Sequence, residues 1–229
     1  MELIIITITI IVAIITVNLM MKINPKELEK IALNTELNKM AEKYPENKEI
    51  CKTILSNLRN ENTKIEENTN SDLTLYIAIE NKILIGNMHN SFTRIQTIAH
   101  ECLHSIQDKK ILIFNFIYSN IYFLYLIIIC ILITIKKLPH EIIHSNILII
   151  LGFIYYVIRT FLENDAMIKA EYVAKEYMEQ QNISSKEEIE EICKGLKKIN
   201  SGCIKGTNCS LFTKTMIKVV IFNVLALIF

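Results

Sequence analysis

The chain has 229 residues, 51% of them hydrophobic, with 25 Lys and Arg against 24 Asp and Glu for a net charge of +1. That balance removes the bulk electrostatic footprint of a nucleic-acid binder. The apolar residues are bunched into a few runs, which excludes an ordinary soluble domain and points to membrane spans.

Residues 3–21 are almost unbroken Ile, Leu, Val and Thr. No basic stretch precedes them and no small-residue cleavage site precedes Lys22, so an uncleaved transmembrane anchor is expected. Residues 25–44 are predicted helical, with Pro25 in the first turn and Leu28, Ile31, Leu37 and Met40 on the buried side. A short helix is predicted over 48–58. Residues 59–72 are rich in Asn and Glu, lack apolar periodicity and read as a loop or linker. Alternation over 73–79, followed by Asn81-Lys82 and the apolar 83–85, predicts a β-hairpin. Its free edge is a candidate for holding an extended peptide.

Residues 92–107 place Ile95, Ile98, Ala99, Cys102 and Ile106 at helical spacing, with Ser91 as a candidate N-cap and Lys109 and Lys110 in the last turn. This helix carries His100-Glu101-Cys102-Leu103-His104. Two histidines four apart on one helix face converge on a single ion. The glutamate between them stays outside the ligand set, where it can act as general base toward water polarised by the metal.

Residues 111–135 and 147–161 are each apolar enough to cross a bilayer and are joined by the polar turn 136–144, which contains Pro139. They are expected to form a transmembrane hairpin, whose two ends lie on one side of the membrane. Beyond it comes Glu163-Asn164-Asp165-Ala166. A catalytic zinc needs a third protein ligand from another element; the candidates are the remaining histidines and the carboxylates Glu163 and Asp165 that open a nearby helix, with Glu163 the leading one. Ala166, Ala170 and Ala174 form a small-residue stripe that allows close approach of another helix. The plainer alternative is that both acids simply favour a helix N-terminus. Ser185-Lys186-Glu187-Glu188 reads as a capping box opening a charged helix to about Ile199. Residues 201–210, with Gly202 and Gly206, read as a loop. The last apolar run, 216–229, is short for a span and crosses only if Lys218 snorkels to the interface.

The expected fold is therefore mainly α: an integral membrane protein with about four transmembrane helices and a small α+β zincin-like catalytic domain carrying a short β-hairpin. Its parts are an anchor over 1–21, a first catalytic part over 22–110, the hairpin over 111–161, a second catalytic part over 162–210 and a C-terminal membrane segment over 211–229. Lys22, Lys26, Lys30, Lys109 and Lys110 cluster beside the catalytic parts, which favours the cytoplasmic face, although Lys136 and Lys137 lie in the opposing loop. The six cysteines are scattered and read as reduced residues.

The run from His100-Glu101 through His104-Ser105-Ile106-Gln107, with Glu163-Asn164-Asp165-Ala166 after a membrane hairpin, resembles the YugP-type neutral zinc metallopeptidases of bacterial membranes. HtpX-type proteases are a more distant likeness, since Met167 stands where they usually have aspartate. Leu103 and Ser105 depart from the glycine and alanine usual in the YugP-type pattern, and Leu103 requires different packing against the partner helix. The resemblance implies one zinc per chain held by His100, His104 and Glu163, with Glu101 as general base. It also implies a protein or peptide substrate and residence in a bacterial cell membrane. Tyr172, Arg159 and His89 are candidate oxyanion donors. The rival expectation is a non-catalytic membrane scaffold with a degenerate or structural zinc site. An intramembrane protease is disfavoured by the polar residues Arg94, Gln96, Gln107 and Asp108 around the motif.

Overall fold

The computed structural model describes residues 1–68, 70–71, 73–88 and 91–229. The chain is mainly helical, with one three-stranded sheet. In order the elements are α1 (Glu2–Met21), α2 (Pro25–Ala32), α3 (Thr35–Glu42), α4 (Asn47–Asn57), β1 (Lys64–Asn68), β2 (Leu75–Ile77), β3 (Lys82–Gly86), α5 (Arg94–Ile106), α6 (Lys109–Thr134), α7 (Glu141–Gln181) and α8 (Lys186–Ile228). They divide into two compact units. One comprises Met1–Ile23, Phe114–Phe161 and Lys205–Phe229, the other Asn24–Ile113 and Leu162–Ile204.

The first unit is built from α1, α6 and the adjoining parts of α7 and α8. All four helices are long and apolar enough to cross a membrane, and a helix satisfies its backbone polar groups internally, as hydrocarbon requires. Tyr122, Leu126, Ile129, Leu148, Val219 and Phe222 form its centre. Large apolar side chains such as Ile5, Phe123, Ile150 and Ile221 point outward. Polar cross-links tie α1 to α8: Asn18 Nδ2 to Thr213 Oγ1 at 3.3 Å and Asn223 Nδ2 to Thr7 Oγ1 at 3.1 Å. A Cβ on Gly152 would lie 2.6 Å from Thr215 and 2.9 Å from the Tyr122 hydroxyl, so the missing side chain is what lets these helices approach.

The other unit holds the sheet, in the order β1-β3-β2. β2 and β3 form the expected hairpin, antiparallel with Tyr76 opposite Ile83, and Asn81 supplies the left-handed turn residue at φ 48°. The loop reading of 59–72 is corrected at β1, which pairs in parallel with β3 from Lys64–Lys82 to Asn68–Gly86. The predicted helix over 25–44 is two helices. The break falls where the Asn34 side chain accepts the Glu36 and Leu37 N–H groups and caps α3. The helix predicted over 48–58 is α4.

Three further expectations change. Lys109 and Lys110 belong to the first turn of α6 and not to the end of α5, because Asp108 Oδ1 accepts the Lys110 N–H at 2.8 Å and begins a new helix. No helix starts at Glu163, which lies well inside α7, so the N-terminus reading of Glu163 and Asp165 falls. Residues 201–210 are helical, as part of α8. Gly202 serves packing there: a Cβ on it would lie 2.5 Å from Leu28, which sits against the helix at that point. The capping box at the start of α8 forms as read, with Ser185 and Glu188 each taking the other's N–H at 3.2 Å. All six cysteines are free, and Cys51 and Cys102 place their sulfurs 3.7 Å apart, in hydrogen-bond contact and not in a disulfide.

Candidate metal centre

The helix bearing the histidines is set by its apolar face. Ile95, Ile98, Ala99 and Cys102 are fully buried, and they share one core with Ile50, Ile54, Ile83 and the stripe Ala166, Ala170 and Ala174 of α7. Ile106, counted on that face from its spacing, is exposed. The alanine side chains bring the α7 backbone against α5, and Glu163 lies one turn before Ala166 on that segment. The burial of α5 on one side and the shallow alanine stripe on the other together converge the three side chains.

Their geometry can be tested against a metal. His100 Nε2 and His104 Nε2 are 3.0 Å apart, and Glu163 Oε2 is 3.4 Å from the first and 3.7 Å from the second. Tetrahedral zinc bonds of about 2.0–2.2 Å place neighbouring ligand atoms about 3.3–3.6 Å apart. The three separations lie within a few tenths of an ångström of that spacing, so the buried His100, His104 and Glu163 group could hold a metal ion, and it is the one such cluster of His, Cys, Asp or Glu among the described residues. Asp165 is not in it. That carboxylate takes the Lys169 ammonium at 2.6 Å and the Gln107 amide at 3.2 Å.

Glu101 stands beside the group. Its Oε1 is 3.8 Å from His100 Nε2, and its Oε2 accepts the Tyr76 backbone N–H at 2.6 Å. The edge strand β2 thus fixes the carboxylate. Burial pushes the Glu101 carboxyl above its ordinary range, against the opposing pull of His100 and His104. Burial acts to lower His104, but the Glu163 hydrogen bond and the charges of Glu101 and Glu163 outweigh it and hold the imidazole above its usual value.

Gln107 is a site residue whose role sequence reasoning missed. Its Oε1 lies 2.8 Å from His104 Nδ1, and its amide donates to the Leu162 carbonyl at 2.8 Å. With Nε2 turned to an ion, Nδ1 would carry the hydrogen and Gln107 would accept it, so one side chain would orient the imidazole while its amide fastens the end of α5 to α7 beside Glu163. Gln107→Ala is expected to weaken zinc binding about 10- to 100-fold. Competition with a calibrated chelator checks this, and unchanged affinity would remove the orienting role. Of the three oxyanion candidates, Tyr172 is 71% exposed, Arg159 belongs to the other compact unit, and His89 lies outside the described residues.

No protein-family description, curated protein or solved structure matches this chain.

Proposed function

We propose that the chain is a membrane-anchored zinc endopeptidase of the YugP-type kind, acting on membrane or membrane-proximal proteins from the cytoplasmic face. The observation that carries this reading is the three-ligand group with a buried carboxylate placed beside it but outside it. Two imidazoles and a carboxylate suit zinc. Structural zinc sites use four protein ligands, whereas catalytic ones use three and keep one position open, and three are gathered here among the described residues. Bound zinc would supply Lewis acidity toward the peptide carbonyl and toward water.

The remaining roles belong to the chain. His100, His104 and Glu163 hold the ion, and Gln107 holds His104 in the ligating tautomer. Glu101 takes the proton from water as the peptide carbonyl is attacked and returns it to the leaving amine. β2 is an edge strand, and its Tyr76 N–H already meets Glu101. An extended substrate segment adding along that edge would run past the base.

The test is elemental analysis of detergent-purified protein. About one zinc per chain is expected, and Glu163→Ala is expected to lose it while remaining folded. Folded wild type that takes up no zinc even when zinc is supplied would overturn the reading.

A further inference from the structure

The unit built from the four membrane-length helices contains one feature the metal centre does not use. Lys218 of α8 lies over aromatic faces, its Nζ 4.7 Å from the centre of the Tyr122 ring, 5.7 Å from Tyr155 and 5.8 Å from Phe123. Among the described residues no salt bridge or hydrogen bond involves it. An ammonium carries three N–H donors. Ring faces offset part of the cost of removing the charge from water but accept no conventional hydrogen bond.

Its depth follows from the cross-links between α1 and α8. Thr7 bonds Asn223 and Asn18 bonds Thr213, so the helices run antiparallel and Lys218 is level with Val12 and Ala13, the middle of α1. At about 1.5 Å per residue this is about 15 Å from either end of that helix, half of an apolar layer about 30 Å thick. A four-carbon stem cannot cover that distance. Snorkelling to the interface, expected from the sequence, is therefore replaced by the ring cluster, and lipid headgroups are out of reach.

A second copy of the chain does not answer the charge either. The acidic residues of this unit are Glu2 and Glu141, which open α1 and α7 at their ends. Phe123, one wall of the cluster, is 52% exposed on the outward face, so the site is reachable from the side.

We propose that Lys218 with Tyr122, Phe123 and Tyr155 is a docking site for a transmembrane helix of another protein that carries an aspartate or glutamate near its middle. The missing acceptor is a carboxylate oxygen, and an ion pair between helices is the usual resolution of a charge at mid-membrane. The inference rests on the four helices spanning a bilayer, and it is independent of whether the metal centre cleaves peptides.

The experiment uses the full chain in phosphatidylcholine vesicles with a labelled leucine-alanine transmembrane peptide bearing a central Glu, Gln or Leu, and energy transfer reports association. The Glu peptide is expected to bind roughly tenfold more tightly than the other two, a preference lost in Lys218→Met and kept in Lys218→Arg. Equal binding of the three peptides by a chain that resists alkaline extraction overturns the inference alone, as does a preference that survives Lys218→Met. A chain that washes off the vesicles overturns it together with the membrane reading. Loss of the preference in both variants assigns the effect to packing and also overturns it.

Discussion

Glu101→Gln is expected to keep zinc bound and to reduce peptide-bond cleavage by about 10²- to 10⁴-fold, the range typical of a lost general base. The substitution is nearly isosteric, and the glutamine carbonyl can still take the Tyr76 N–H that Glu101 now accepts at 2.6 Å. His100, His104 and Glu163 are untouched. What disappears is the ability to accept a proton at that point. Cleavage of an unstructured protein such as casein in detergent, with zinc content and melting temperature measured on the same sample, separates the outcomes. Cleavage at the wild-type rate with zinc retained would sink the general-base assignment. Loss of zinc would show that the carboxylate works in binding the ion.

The largest effect on stability is expected at Arg94. The guanidinium is almost fully buried and donates to the carbonyls of Ala41, Tyr44 and Pro45 and to Asn47 Oδ1, all at 2.8–2.9 Å. Ala41 is in the last turn of α3, and Tyr44 and Pro45 follow directly, so the charge sits at the negative end of that helix and binds it to the first turn of α5. Arg94→Ala would strand four acceptors and leave a void, at a cost of about 3–5 kcal/mol. In a unit of this size the melting temperature should fall by about 10 °C or more. Arg94→Lys should recover only part of it, because an ammonium cannot reproduce the planar fork. Thermal unfolding of the purified variants decides. A melting temperature within a degree or two of wild type would show that the network contributes little.

The candidate metal group was legible in the sequence because the chemistry of such a site fixes its spacing. His100 and His104 must lie four apart on a helix, and a third ligand must come from an element able to approach closely, which the alanine stripe marked. The hairpin β2–β3 and the apolar helices were legible for a similar reason, as each writes its own period or length into the chain. β1 was not. Its burial runs exposed, half-buried, exposed, exposed, half-buried, so it has no apolar face to announce it, and its stability comes from the backbone ladder to β3. Gly202 signalled a loop because glycine's usual meaning is conformational. Here it makes room for Leu28, a contact between residues more than 170 positions apart. Arg94 and Gln107 looked like polar flanks, since nothing local shows that their partners arrive from α3 and α7.

The residues of the candidate metal group are split along the chain. His100 and His104 come from α5, Glu163 from α7, and about sixty residues of membrane-length helix and turn lie between His104 and Glu163. At roughly 5–20 residues per second, a ribosome needs about 3–12 seconds to pass from one to the other. During that interval the growing polypeptide carries Glu101 and the two histidines but lacks Glu163. A site that needs all three residues therefore stays incomplete until α6 and the first half of α7 have been made. On the function proposed here, the order of these residues sets the earliest moment at which the growing chain could cleave a peptide bond.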